Sequence, residues 1–160
     1  MFYRIYDFIK ISIPNFFRNI WLFRNELSTH RWWDYSHTLS MMKRSLELTS
    51  EGLKNKGNEV IEERSKKIEK IDRAIYLIDL FIEDDFTELA RLDLNIEKMP
   101  IHSLVKSENG YYEIKTNNPD DWEKIFSKSE ELKKDMWEEL WDIFRGSEKK
   151  DGTDLRGWWD

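Results

Sequence analysis

Residues 58–94 read NEVIEERSKKIEKIDRAIYLIDLFIEDDFTELARLDL, and this stretch decides the fold class. Ile61, Ile68, Ile71, Ile75, Ile78, Ile82, Phe86 and Leu89 recur at steps of 3, 4 or 7, the period of one helix face. The first half is crowded with Glu62, Glu63, Arg64, Lys66, Lys67, Glu69 and Lys70 and keeps only a narrow apolar seam. The second half widens its apolar face with Leu77, Leu80 and Phe81. The pattern predicts a helix solvated at one end and entering the core at the other.

Upstream, a second helix is expected over about 34–54, with Asp34 as its N-cap. Its apolar stripe is Tyr35, Leu39, Met42, Leu46 and Leu53, and Gly52 and Gly57 mark its end and the turn after it. Two helices joined by a short Gly-containing turn make an antiparallel helical hairpin. Further back, Pro14 splits the N-terminal region. Residues 2–11 alternate loosely, as a short strand or irregular chain does, and residues 15–27 predict a helix with Phe16, Ile20, Phe23 and Leu27 on one face.

Downstream, Pro100 stops the helical pattern, and residues 101–116 read as a small β-hairpin around Asn109-Gly110. A type I′ turn there would set Val105 opposite Ile114 and Lys106 opposite Glu113. Asn118-Pro119-Asp120-Asp121 is a helix start, with a cap, a proline at the first position and acids in the first turn. That helix is expected to run to about Phe144, with Trp137 and Trp141 stacked at i, i+4. The fold class is mainly α: an antiparallel helical hairpin with flanking N- and C-terminal helices and a small β-hairpin. One domain is expected over 1–145, followed by a polar tail, 146–160, that ends in Trp158-Trp159.

Composition narrows the function classes. The 160 residues carry a net charge of −6, which disfavours duplex nucleic acid as a partner. The absence of cysteine excludes disulfides, thiolate catalysis and Cys-ligated zinc, and fits a cytoplasmic setting. The N-terminal stretch MFYRIYDFIKISIPNFFRNIWLF lacks the uninterrupted apolar run of a signal peptide. Arg4, Asp7, Lys10, Asn15, Arg18 and Asn19 break every window long enough for a transmembrane segment, which leaves an interfacial amphipathic helix as its membrane option.

The eight tryptophans carry the functional reading, because four of them stand in adjacent pairs, Trp32-Trp33 and Trp158-Trp159. Neighbours on a helix point about 100° apart, so paired Trp at element ends suit a clamp on a segment, a subunit or a flat ligand. Arg31, Trp32, Trp33, Tyr35, His37, Lys43 and Arg44 combine rings that stack on bases with cations that grip phosphate. Set against this is a plain reading in which the two Trp staple a helix start and the two cations are solvated. His30, Asp34 and His37 have metal-ligand spacing only if one helix spans them, and a capping Asp34 breaks that face. Glu83, Asp84, Asp85 and Glu88 read as a solvated acidic face. No nucleophile–base pattern, Gly-x-Gly-x-x-Gly or phosphate loop is present, so no cofactor and no catalytic residue are assigned.

The run from Trp33-Asp34-Tyr35 to Lys43-Arg44-Ser-Leu, the later Ile71-Asp-Arg73-Ala-Ile75-Tyr-Leu-Ile78, and the terminal Gly-Trp158-Trp159-Asp160 are together similar to a loose group of small phage proteins of unknown function. The similarity covers roughly residues 15–95 and the last few residues. It implies a viral accessory protein acting in the host bacterial cytoplasm, and it transfers no catalytic residue. Such proteins often counter host defence, in one mode by sequestering nucleotide signals as oligomers. The expectation is therefore a non-enzymatic homo-oligomer that captures a small phosphate-bearing ligand. Trp32, Trp33 and Tyr35 would stack, Lys43, Arg44 and Arg73 would hold phosphate, and His37 would belong to the same ligand site. Trp137, Trp141, Trp158 and Trp159 would make oligomer or partner contacts. The alternative is a helical protein-interaction module, an inhibitor of a host protein or a virion assembly component.

Overall fold

A computed structural model describes residues 6–29, 31, 33–56, 61–107 and 109–146. It is mainly helical, with one two-stranded antiparallel hairpin. The chain divides inside its long central helix into two compact units, residues 1–78 and 79–160.

In the first unit the chain is helical from Tyr6 onward, so the strand or irregular chain expected over residues 2–11 is corrected where it is described. A π-helical turn, Phe8–Ser12, runs directly into α1, Ile13–Leu22. Pro14 does not split this run. It sits in the first turn of α1, where its missing N–H is tolerated. The wider π turn ahead of it carries the carbonyl that the ring would otherwise strike. Phe23, at φ −108° and ψ 15°, then breaks the expected 15–27 helix, and α2 is the short Arg24–Ser28.

α3, Tyr35–Lys56, starts where Asp34 predicts. The Asp34 carboxylate accepts from the Ser36 backbone N–H at 3.0 Å and from its hydroxyl at 2.7 Å. Leu39 and Leu46 of the expected stripe are buried, whereas Tyr35 is exposed. Gly52 does not end the helix, which continues for a further turn to Lys56; Gly57 lies outside the described residues. α4, Ile61–Glu83, is the other arm of the helical hairpin. Ser50 of α3 donates to Asp72 of α4 at 2.7 Å, and Lys54 Nζ reaches the same carboxylate at 3.0 Å. Along α4 the charged first half is largely solvent-facing, while Ile71, Ala74, Leu77 and Ile78 are buried.

The 58–94 periodicity is one pattern but not one helix. Asp84 adopts a left-handed φ of 54°, its N–H bonds to Leu80 O, and a new helix, α5, spans Phe86–Asp93. Aspartate tolerates that conformation better than most residues, which lets the chain turn there. In the second unit α5 packs on α6, Pro119–Arg145, which begins at the Asn118 cap as the sequence indicates. Phe86, Ala90, Ile125, Leu140 and Ile143 are buried in this unit, and Phe81 lies against Phe86 at 5.0 Å. Arg91 ties off α5 by donating to the carbonyls of Ile96 and Glu97.

The strands β1, His102–Lys106, and β2, Tyr112–Thr116, pair with Leu104 opposite Ile114, Val105 opposite Glu113 and Lys106 opposite Tyr112. The expected register is therefore off by one. The turn is longer than a two-residue loop: Gly110 N–H bonds Ser107 O, Ser107 N–H bonds Tyr111 O, and Gly110 takes φ 83°. One extra loop residue slides every pair. The hairpin is anchored at its base by Ile101 and Asn117 and by the His102 ring against Trp122 at 4.3 Å.

Candidate functional site

The residues singled out in the sequence fall into several separate surroundings. Trp32, Trp158 and Trp159, and His30 of the metal reading, lie outside the described residues. Among the described residues no cluster of three His or acidic side chains has a metal-binding arrangement. Asp34 spends its carboxylate on Ser36, and that hydroxyl, followed by the Ser36 backbone N–H, holds it below the usual 3.8.

The two cations of α3 lie beside Glu47. Arg44 meets the Glu47 carboxylate at 2.9 Å, and Lys43 lies 3.9 Å from it. Arg44 also donates through Nε to Leu22 O at 3.1 Å, satisfying a C-terminal carbonyl of α1. The i, i+3 and i, i+4 spacing to Glu47 is the signal in the sequence that these cations are engaged locally. Arg73, on α4, lays its guanidinium 5.1 Å from the Tyr76 ring centre. Trp33 and Tyr35 are each about two-thirds exposed at the mouth of the α2–α3 turn.

The arrangement that does converge is a shallow recess of about 460 Å³ lined by Ser28, Thr29, Arg31, Asp34, Ser36, His37 and Ser40. It unites Arg31 and the buried His37 of the aromatic–basic run with four hydroxyl side chains that the run does not include. Ser36 and Ser40, one turn apart on α3, are the legible part of that set. Each hydroxyl donates locally: Ser28 and Thr29 to Asn25 O, Ser36 to Asp34, and Ser40 to Ser36 O. What they turn to the recess is acceptor capacity beside one cation.

In the second unit, Trp137 and Trp141 meet as i, i+4 neighbours, but edge-on rather than stacked, with centroids 6.0 Å apart and planes at 85°. Phe81 backs Trp137 at 5.1 Å, and Phe144 backs Trp141 at 6.1 Å. The two Trp are packed against these neighbours and still remain 41% and 46% exposed. A further polar groove of about 550 Å³ runs along α6 past Asp120, Lys124, Lys128 and Glu131. Lys128 there is paired with Glu131 at 3.2 Å and Asp93 at 3.5 Å.

No family model matches the chain, and comparison with curated proteins and with solved structures finds no match to either.

Proposed function

We propose that this chain is a non-enzymatic phage accessory protein that works by docking a protein partner on the aromatic ridge of α6. The observation that carries the reading is the Trp137–Trp141 pair. Both rings are packed edge-on against neighbours and still two-fifths exposed, so little side-chain freedom is left to lose on binding. Large rigid aromatics of this kind dominate binding energy at protein interfaces. Viral origin rests on the sequence similarity to small phage proteins.

The test is affinity capture from phage-infected bacteria, with the wild-type chain and a Trp137→Ser/Trp141→Ser variant of unchanged circular dichroism. The reading expects a stoichiometric partner that the variant loses. Identical captured sets from the two baits would sink it.

A second reading, capture of a small phosphate-bearing nucleotide, draws its support from the α2–α3 recess. Arg31 offers phosphate a cation, the hydroxyls offer acceptors to a sugar or base, and Trp33 and Tyr35 are aromatic residues about two-thirds exposed nearby. In this reading Lys43 and Arg44 reach a phosphate only by leaving Glu47. A thermal-shift screen over cyclic and ADP-ribose-type nucleotides tests it, since any ligand of the folded state raises the melting temperature by mass action. A flat screen ends it.

A further inference from the structure

α1 is an amphipathic helix turned outward. Its apolar residues Ile13, Phe16, Phe17, Ile20 and Trp21 fall within one arc, and all of them are exposed; Phe16, Phe17 and Trp21 are 60%, 65% and 67% exposed. On the opposite side, Asn15 and Leu22 are the half-buried residues, and Arg44 grips the Leu22 carbonyl. Tyr6, Phe8, Ile9 and Ile11 extend the exposed apolar surface through the π turn. Of the apolar face expected over residues 15–27, Phe16, Ile20 and Leu27 are all exposed. A contiguous apolar patch of this kind on a folded chain marks an interaction surface.

The charge around the patch selects its occupant. Residues 1–24 hold Arg4, Lys10, Arg18 and Arg24 against the single acid Asp7, in a chain whose overall charge is −6. The segment that carries the exposed apolar face is therefore net basic in a net acidic chain. Arg24 stacks 4.3 Å over the Trp21 ring and donates to Trp21 O, forming an aromatic–cation pair at the end of the face. A second copy pairing through the same face would bring these like charges together. Among the described residues no helix is long and apolar enough to cross a bilayer. An apolar arc with aromatic residues, flanked by cations on one exposed helix, is the pattern of a helix lying in a membrane interface.

We infer that the helical run Phe8–Leu22 docks on an anionic phospholipid surface, with Phe16, Phe17, Ile20 and Trp21 entering the acyl boundary and Lys10, Arg18 and Arg24 meeting the headgroups. This contact is independent of the aromatic ridge on α6.

The test is co-sedimentation of the full chain with vesicles of phosphatidylcholine alone and of phosphatidylcholine containing phosphatidylglycerol, with native mass spectrometry of the unbound protein. The expected result is binding to the anionic vesicles that weakens with added salt. Phe16→Ser/Phe17→Ser should lower partitioning by more than tenfold with unchanged circular dichroism, because both rings are already in solvent. Lys10→Gln/Arg18→Gln should lower it by about tenfold or more on anionic vesicles alone, each basic residue near such a surface being worth roughly fivefold. Equal binding to both vesicle types would overturn the inference, as would no binding to either. An oligomer that Phe16→Ser/Phe17→Ser dissolves, in a chain that ignores vesicles, would assign the face to a second copy instead.

Discussion

The Ser50 hydroxyl of α3 donates to the Asp72 carboxylate of α4 across 2.7 Å, joining the two arms of the helical hairpin at one point. Ser50 is buried, and Lys54, one turn further along α3, reaches the same carboxylate. The hydroxyl therefore fixes where one arm sits along the other, and the lysine adds a solvent-exposed ion pair.

These two contacts differ in weight. Ser50→Ala removes a part-buried hydrogen bond to a charged acceptor and should cost about 1–2 kcal/mol. Lys54→Ala breaks an exposed pair and should cost under about 1 kcal/mol. Urea unfolding of both variants checks the order. A larger loss from Lys54→Ala would mean that the ion pair, not the hydroxyl, fixes the hairpin.

The start of α3 should be sensitive to acid. Ser36 holds the Asp34 carboxyl below the ordinary 3.8 through its hydroxyl first and its backbone N–H second. A carboxylate with a depressed folded value stabilises above the unfolded value and loses that contribution as pH falls through the folded one. The Asp34 share of stability is thus complete above about pH 4 and disappears only in more acid solution. Carbon NMR should find its titration midpoint below 3.8. In Ser36→Ala the midpoint should rise toward the ordinary value, and an unmoved midpoint would remove the hydroxyl as the cause.

Two glycines should respond to alanine with opposite signs. Gly52 lies inside α3, and a methyl group there meets nothing within 4 Å. Gly52→Ala should stabilise by about 0.5–1 kcal/mol through helix propensity and a less flexible unfolded chain. Gly110 also has open space around it, but its φ of 83° belongs to the left-handed region. Gly110→Ala should destabilise the hairpin by about 1–2 kcal/mol. Thermal unfolding of the pair decides this, and a shift of the same sign in both would refute the backbone argument.

The elements were legible where local chemistry coincides with the packing. Asp34, Asn118 and Pro119 announce two helix starts because their side chains act within one turn. The 58–94 pattern reveals the buried face but hides the turn at Asp84, because a left-handed aspartate leaves the apolar period intact on either side. The hairpin was legible in kind and not in register, since Asn109-Gly110 fits two loop lengths that differ by one residue. Most hidden was the orientation of α1. Periodicity identifies an apolar face but not what covers it, and Phe16 and Ile20 have the same spacing whether they meet a core or solvent. The aromatic–basic run failed as a single site for a related reason. Glu47 lies at the spacing that engages both Lys43 and Arg44 on their own helix, and of the run's described residues Arg31 and His37 line the recess.

The turn at Asp84 makes the last prediction. Lys133 of α6 places its ammonium 3.0 Å from Asp84, 3.6 Å from Glu130 and 5.6 Å from the Phe86 ring centre. The hydrogen bond to Asp84, ahead of all other causes, raises the lysine above its ordinary 10.5. A raised cation stabilises fully below the unfolded value and loses its contribution as pH climbs through the folded one, so the clamp is intact at neutral pH and fails only in strong alkali. Lys133 is one-third exposed, so the Coulomb gain is screened and its loss should be modest. Lys133→Met keeps an aliphatic cover over Phe86 and should cost about 0.5–1 kcal/mol. Asp84→Asn keeps a residue that tolerates the positive φ and should cost a similar amount. A double-mutant cycle should return a coupling of about half a kcal/mol that shrinks in molar salt. Strict additivity of the two changes would show that the turn at Asp84 holds without its lysine.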